Sequence, residues 1–146
     1  MRILVQRVKN AQVVVEGDTV GAIETGLVLL VGIHTDDDVR AVEFCSRKCA
    51  NLRIFSDLNG QMNLSLLETG GSALAISQFT LYGECRRGRR PSFFDAAHPE
   101  VAEPLYNLFV SHLEKLGIVV ARGIFGAHMV VAINNDGPVT VIIESP

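Results

Sequence analysis

The stretch Leu27-Val28-Leu29-Leu30-Val31-Gly32-Ile33 is the longest apolar run in the chain. A short continuous run of this kind, bounded by turn residues, is typical of a strand that is buried on both faces of a sheet. It is far shorter than the ~20 residues that a helix needs to cross a bilayer, so the sequence argues against membrane insertion. We therefore predict a buried strand here.

Further strand patterns lie on both sides of this run. They cover residues 2–9, 12–16, 19–24, 53–55, 72–82, 118–122, 127–134 and 139–144. We expect residues 62–67 to be irregular. The last two strands are joined through Asn135-Asp136-Gly137-Pro138, which is a turn sequence.

Two segments carry helical periodicity. Asp36-Asp37-Asp38 suits a helix N-terminus through capping and the helix dipole, and the apolar spacing that follows runs to about residue 51. This spacing places Cys45 and Cys49 on one face, where we expect them in the core. A second helix is predicted over residues 99–116, with Gly117 just after its end.

These elements predict an α+β fold. The chain has 146 residues, of which 48% are apolar and 20% charged, and it contains no linker or repeat. A chain of this length suits one domain with one core. We therefore predict a single domain over residues 1–146: a mainly antiparallel or mixed, barrel-like β-sheet with two main helices packed on it.

Composition and common motifs exclude several functions. Three cysteines without a C-x-x-C pair support neither a disulfide framework nor a zinc site, and four histidines lack metal-binding spacing, so we expect no metal and no cofactor. Glycine-rich phosphate-binding motifs and a G-x-S-x-G motif are absent. The first residues form a strand pattern instead of a signal peptide, which predicts a cytoplasmic protein with no membrane partner.

Basic charge is concentrated in one segment. The net charge is −3, yet Arg86, Arg87, Arg89 and Arg90 lie within five residues; without them 9 basic residues stand against 16 acidic ones, or −7. Guanidinium groups bind phosphates bidentately, so the segment is a candidate site for an anionic partner. A loop of solvated charges is an equal alternative.

Two further segments combine unusual residues. In Ser77-Gln78-Phe79-Thr80, strand alternation puts Gln78 and Thr80 on one face, where a core would need apolar groups. A half-exposed strand with polar groups facing solvent is the alternative interpretation. The second segment is Asn135-Asp136-Gly137-Pro138-Val139-Thr140, where Gly and Pro fit a sharp turn, and turn chemistry alone favours a plain hairpin connection.

Together these segments resemble the D-aminoacyl-tRNA deacylase family, or D-tyrosyl-tRNA deacylases, which perform chiral proofreading. The two segments look like the paired signatures of that family. The resemblance runs from end to end and includes Val5-Gln6-Arg7-Val8, Arg90-Pro91-Ser92-Phe93 and the segment 123–129. His128 and Gln61 depart from the pattern, since an acid and a lysine are common at these positions.

The resemblance implies a homodimer with two sites at its interface. The catalytic segment Ser77, Gln78, Phe79 and Thr80 of one subunit would meet Gly137 and Pro138 of the other. In the family this Gly-Pro bond is cis, and its carbonyls exclude an L side chain. The resemblance also implies a pocket for the 3′-terminal adenosine lined by Phe125, Ala127 and Met129. The tRNA-binding candidates are Arg86, Arg87, Arg89 and Arg90, and DNA is not an expected partner.

The reaction implied is hydrolysis of the ester between tRNA and a D-amino acid, and of Gly-tRNA as well. Backbone N–H groups around Phe79 and Thr80 are candidates for stabilising the tetrahedral intermediate, with assistance from the tRNA 2′-hydroxyl. Covalent attack by Thr80 is the alternative, although no base lies near it in the sequence. A non-catalytic RNA-binding module and a small metal-dependent hydrolase are two further classes that the residues leave open.

Overall fold

The predicted buried strand is the centre of the sheet in the computed structural model, which describes all residues 1–146. Strand β3 (Gly26–Gly32) pairs antiparallel with β1 (Arg2–Val15) and parallel with β6 (Ser72–Ser77). Residues 27–29 are fully buried, as expected for a strand paired on both edges and covered on both faces.

The long strand β1 organises the antiparallel part of the sheet. One of its edges pairs with β3 and, further along, with β2 (Asp18–Ile23). Its other edge pairs with β8 (Val130–Glu144), and β7 (Val120–Arg122) extends the sheet beyond β6 in parallel. The resulting mixed sheet has six strands.

The sheet curls until its ends approach each other. A Cβ atom on Gly21 of β2 would lie only 2.6 Å from the carbonyl oxygen of Arg122 in β7, so the close approach requires glycine at this position. The curled sheet is a nearly closed barrel, and the predicted barrel-like α+β fold is confirmed.

Two main helices cover one face of the sheet, as predicted. Helix α1 (Val39–Asn51) begins after Asp38, whose carboxylate accepts hydrogen bonds from two backbone amides of the first turn. It packs against α3 (Pro99–Lys115). Cys45 and Cys49 are fully buried in the core between them and the sheet, and burial raises the pKa of the Cys45 thiol to about 11.

The segment between α1 and β6 is more regular than predicted. Residues 62–67 are not irregular: β5 (Met62–Leu64) pairs with β4 (Phe55–Ser56), and a short third helix, α2 (Leu66–Thr69), follows. Ser65 and Glu68 form a capping box at the start of α2. This S-x-x-E signal stands in the sequence and could have identified the helix.

The C-terminal strand corrects a second prediction. The segment Asn135–Thr140 does not reverse the chain as a hairpin turn, because β8 runs in one direction along β1 on both sides of it. Gln6 pairs with Thr140 and Val8 pairs with Asn135, so the residues between them bulge out of the ladder. β1 is long enough to pair with β8 on both sides of this bulge, so the chain continues in one direction instead of reversing.

The outer edge of β8 is free, because β8 pairs only with β1. Val130 and Ile142 are exposed along this strand. An exposed strand edge with apolar side chains is a surface to which another chain can be added. No helix of the structure has the length and apolar character needed to span a membrane.

Candidate active site

The predicted strand at residues 72–82 ends early. β6 stops at Ser77, and Phe79–Tyr82 forms a 3-10 helix, so the strand alternation expected for Ser77-Gln78-Phe79-Thr80 is wrong. The last ladder hydrogen bond runs from the Gln78 amide to the Val31 carbonyl at 2.8 Å. The partner strand β3 ends at Gly32, and the chain folds over it.

The 3-10 helix packs closely on a glycine of β3, Gly32. A Cβ on Gly32 would lie 3.2 Å from the Leu81 Cβ and from the Tyr82 ring, and 3.3 Å from the Gln78 carbonyl oxygen. These distances are tighter than most real Cβ contacts, so a side chain at position 32 would force its neighbours to shift slightly. The end of β3 therefore fixes how closely the 3-10 helix packs on the sheet.

This local fold exposes two backbone amides. The first N–H groups of a 3-10 helix have no partner within the helix, and neither Phe79 nor Thr80 donates a backbone hydrogen bond outside it. Phe79 is 55% exposed, and the Thr80 hydroxyl accepts a hydrogen bond from the Gln78 side-chain amide. The turn thus presents two free N–H donors and a hydroxyl that is already bonded.

A mainly apolar cavity of about 570 Å³ lies beside this turn. Six of the predicted residues line it: Ser77, Gln78, Phe79, Phe125, Ala127 and Met129. Thr80 is the next residue of the same 3-10 helix, but it does not line the cavity. The structure therefore brings together residues of the predicted catalytic segment and the predicted pocket residues, which are far apart in the sequence.

Sequence reasoning missed the wall formed by the start of α3. Phe93, His98 and Pro99 line the cavity, and the Phe93 ring packs edge to face on Phe79 with centroids 5.1 Å apart. Phe93 belongs to the Arg-Pro-Ser-Phe segment, which supported the family resemblance without suggesting a role. His98 is the N-cap residue of α3 and makes no side-chain capping bond.

The opposite wall is positioned by packing. A Cβ on Gly123 would lie 2.4 Å from the Met129 sulfur, so Met129 lies directly over this glycine. Phe125 packs near Tyr106, whose hydroxyl donates to the Ala75 carbonyl at 2.9 Å. Burial raises the pKa of Tyr106 to about 12, so it remains a neutral donor that ties α3 to β6.

Gly137 and Pro138 form an exposed bulge with a cis peptide bond. The almost buried Arg7 holds the bulge, because its guanidinium donates to the Asp136 carbonyl at 3.2 Å and to the Ile54 carbonyl at 2.6 Å. On the other side, the Asn135 side-chain oxygen accepts from the Val139 amide at 2.9 Å. The bulge is thus fixed on both sides.

The bulge does not reach the cavity of its own chain. Arg7, which holds it, pairs with Leu27 of β3, whereas Ser77 pairs with Val31 at the other end of the same strand. Four residues of strand correspond to about 13 Å. Gly137 and Pro138 are accordingly absent from the cavity lining.

The four clustered arginines are not equivalent. Arg86 bonds to Glu84 through its backbone amide and its guanidinium, and this bonding lowers the pKa of Glu84 to about 2. Arg87, Arg89 and Arg90 form no salt bridge and are exposed. Three free guanidinium groups thus remain at the tip of the loop, outside the cavity.

Arg2 clamps the other end of the 3-10 helix. Its guanidinium donates to the Leu81 carbonyl at 2.7 Å, lies 4.8 Å from the centroid of the Tyr82 ring and bonds to Glu144 at 2.6 Å. A cation over a ring face and a charge-assisted hydrogen bond reinforce each other. The clamp joins the catalytic segment to both β1 and β8.

Comparison with known proteins gives several full-length matches. Proteins named D-aminoacyl-tRNA deacylase from Halalkalibacterium halodurans and Thermosipho africanus are 57% and 52% identical over 145 residues, covering 99% of this chain and 99% and 97% of their own lengths. A solved structure described as c-Myc DNA Unwinding Element Binding Protein is 40% identical with a TM-score of 0.94, covering 100% of this chain and 99% of that one. A second, described as a probable eukaryotic D-amino acid tRNA deacylase, has a TM-score of 0.85 over 99% and 98% of the two chains, and at 18% identity it supports the fold alone.

Together with the fold and the cavity, these relatives define the class of the protein. It is an enzyme, and its class is that of the hydrolases. The pattern of one family matches residues 4–144 of the sequence. The chain belongs to the D-Tyr-tRNA(Tyr) deacylase family. The resemblance inferred from the sequence motifs is thereby confirmed.

The role of the Arg2 clamp can be tested by substitution. Arg2→Ala should lower kcat for D-Tyr-tRNA hydrolysis about tenfold, with KM within about twofold, because a displaced catalytic segment weakens the chemical step more than binding. Arg40→Ala, which removes an exposed ion pair to Asp38, is the matched control and should leave both constants unchanged. Steady-state kinetics with thermal melting as a folding check measures this, and an unchanged kcat in Arg2→Ala would show that the clamp has no part in positioning.

Proposed function

We propose that the protein hydrolyses the ester that joins a D-amino acid to the terminal ribose of tRNA, releasing the free amino acid and tRNA. The observation that carries this proposal is the pair of free amides of Phe79 and Thr80 beside the apolar cavity. Membership of the deacylase family supports the same substrate class.

The two amides supply the oxyanion site. When water adds to the ester carbonyl, negative charge develops on the carbonyl oxygen, and preorganised N–H donors stabilise it by about 3–4 kcal/mol each. The C–O bond to the ribose then breaks, and the proton of the attacking water passes to the leaving ribose oxygen. The neighbouring 2′-hydroxyl of the tRNA relays this proton.

The hydroxyl of Thr80 is not the nucleophile in this mechanism. It accepts a hydrogen bond from Gln78, and no histidine, lysine or carboxylate of the chain bonds to it. A hydroxyl without a base to take its proton is a weak nucleophile. We therefore favour attack by water over a covalent intermediate on Thr80.

The active protein is a homodimer in this proposal. The free edge of β8 offers a surface for a second copy, and Gly137 and Pro138 are exposed on the same strand. Since the bulge lies outside the cavity of its own chain, we infer that it enters the cavity of the partner subunit. The fixed contacts of Arg7 and Asn135 suit a bulge that must present its backbone to another molecule.

Selectivity for the D configuration follows from placing backbone instead of side chains opposite the α-carbon. Carbonyl groups of Gly137 and Pro138 leave no room for an L substituent, whereas a D substituent points away from them. This steric exclusion does not depend on the chemical type of the amino-acid side chain of the substrate. Glycine has no substituent to exclude, so Gly-tRNA is a substrate as well.

The body of the tRNA binds through its phosphates. Arg87, Arg89 and Arg90 are exposed and free of acidic partners, and Arg86 joins them when a phosphate displaces Glu84. These contacts carry no sequence information, so they suit an enzyme that acts on many tRNAs. We infer a cytoplasmic location, where aminoacyl-tRNA is made and used, and tRNA instead of DNA as the partner.

The role of Thr80 can be tested directly. Thr80→Ala should retain the hydrolysis rate of D-Tyr-tRNA to within about tenfold, because the amide donor stays in place. Loss of a covalent nucleophile would instead cost about 10⁶-fold in kcat. Single-turnover kinetics separates the two values, with Gln78→Ala as a control for the lost hydrogen bond to the hydroxyl, and a collapse of the Thr80→Ala rate would contradict the backbone mechanism.

The shared site predicts complementation between two inactive variants. Ala127→Trp fills the cavity, and Gly137→Ala displaces the bulge, since the added Cβ would lie 2.7 Å from Val139. A mixed dimer has one site that is intact on both sides, so subunit exchange should restore about a quarter of the wild-type rate. Mixing two samples of Ala127→Trp is the control. If the mixed variants stay inactive while sedimentation shows mixed dimers, Gly137 acts within its own chain.

Exclusion by the backbone predicts how three small substrates rank. D-Ala-tRNA and Gly-tRNA should be hydrolysed at rates within about tenfold of each other, and L-Ala-tRNA at least about 100-fold more slowly, because only the L methyl group meets the bulge. Initial rates on the same tRNA measure this. Rejection of glycine together with L-alanine would mean that the site grips the D side chain instead.

A further inference from the structure

A phenylalanine beside the candidate site is almost fully exposed to solvent. Phe94 is 89% exposed, although phenylalanine is among the residue types most often buried. The neighbouring Phe93 packs edge to face on Phe79 and lines the cavity, whereas Phe94 joins no aromatic pair in the chain. A ring of this kind is available to a ligand.

The backbone holds the exposed ring in place. The Ala96 amide donates to the Phe93 carbonyl at 3.1 Å, which closes a turn with Phe94 at its second position. The Asp95 carbonyl accepts from the Thr35 amide at 3.1 Å, and this bond ties the turn to the end of β3. The ring is therefore presented by a fixed turn.

Phe94 lies between the basic loop and the cavity. On one side, Ser92 and Glu84 exchange backbone hydrogen bonds of 2.8 and 3.0 Å, which close the loop that carries the free arginines. On the other side, Phe93 is already part of the cavity wall. The Phe94 turn therefore connects the basic loop to the cavity wall along the chain.

We propose that Phe94 is a stacking platform for an unpaired nucleobase of the tRNA 3′ end, the base that precedes the terminal adenosine. This rests on the proposed function and on the expectation, implied by the family resemblance, that the terminal adenosine enters the cavity beside Phe125 and Met129. Single-stranded RNA is bound by aromatic rings that stack on bases, together with cationic side chains that hold the phosphates. The exposed ring and the three free guanidinium groups supply both parts.

Two substrates separate this role from the chemistry. The first is D-Tyr-tRNA, and the second is the D-tyrosyl ester of adenosine alone, which lacks the preceding nucleotide. Phe94→Ala should raise KM for the tRNA about tenfold and leave kcat and the hydrolysis of the adenosine ester unchanged. Phe94→Trp should keep the wild-type KM, and Phe94→Leu should behave like Phe94→Ala, because leucine is apolar but offers no ring to stack on.

Leu58→Ala is the matched control, since Leu58 is a fully exposed apolar residue in a different turn. It should change neither substrate. Wild-type protein that hydrolyses neither D ester would contradict the proposed function itself. Wild-type activity with an unchanged KM in Phe94→Ala would overturn the stacking proposal alone, as would an equal loss on both substrates or a change of sedimentation in Phe94→Ala.

A binding measurement tests the contact directly. With 2-aminopurine in place of the base before the terminal adenosine, the wild-type protein should change its fluorescence on binding, and Phe94→Ala should not. The salt dependence of binding should stay the same in Phe94→Ala but fall in the combined Arg87→Ala, Arg89→Ala and Arg90→Ala variant, because only the arginines displace counterions. An equal fluorescence change in wild type and Phe94→Ala would place the base elsewhere and overturn the proposal.

Discussion

The parallel ladder between β3 and β6 ends at the hydrogen bond from Gln78 to the Val31 carbonyl, and the site depends on that ending. A glycine stands at each end of β3. A Cβ on Gly26 would lie 1.8 Å from the Ser72 carbonyl oxygen, and the 3-10 helix packs on Gly32. The first glycine permits the close start of the ladder, and the second lets the chain turn away from the sheet. The backbone amides of Phe79 and Thr80 are therefore left without partners. In a continued β6 strand they would lie in the sheet instead.

In the proposed mechanism the chemistry of the site comes from backbone groups instead of ionisable side chains. No group of three or more histidine, cysteine or carboxylate residues is arranged to hold a metal ion. Of the cysteines and tyrosines whose pKa is raised, Cys45, Cys49 and Tyr106 lie in the core and serve packing. Backbone N–H donors do not titrate, so their function does not depend on a pKa. Such a site tolerates an apolar wall, which would shift the pKa of a catalytic acid or base.

The sequence predicted what depends on local patterns. The central strand at residues 27–33 and the helices around Cys45 and Leu113 follow from periodicity, and the structure has them within a few residues. The end of β6 at Ser77 could not be predicted in the same way, because Phe79 and Tyr82 favour strands and the 3-10 helix packs on Gly32, which is distant in the sequence. Likewise, the Gly137-Pro138 segment looks like a hairpin turn until β1 is seen to pair with both of its flanks. The predicted pocket residues came from motif resemblance, whereas Phe93 and His98 needed the tertiary structure.

The proposed function separates affinity and selectivity in space on this molecule. The free arginines and Phe94 lie outside the cavity, the amides of Phe79 and Thr80 lie beside it, and the Gly137-Pro138 bulge stands elsewhere on the same chain. In the proposed dimer the group that reads chirality and the group that stabilises the transition state belong to different subunits. A monomer would then keep its oxyanion donors and its RNA-binding surface but lose the element that rejects L esters. In this proposal fidelity depends on dimerisation, because only the dimer would set that backbone against the α-carbon of the substrate.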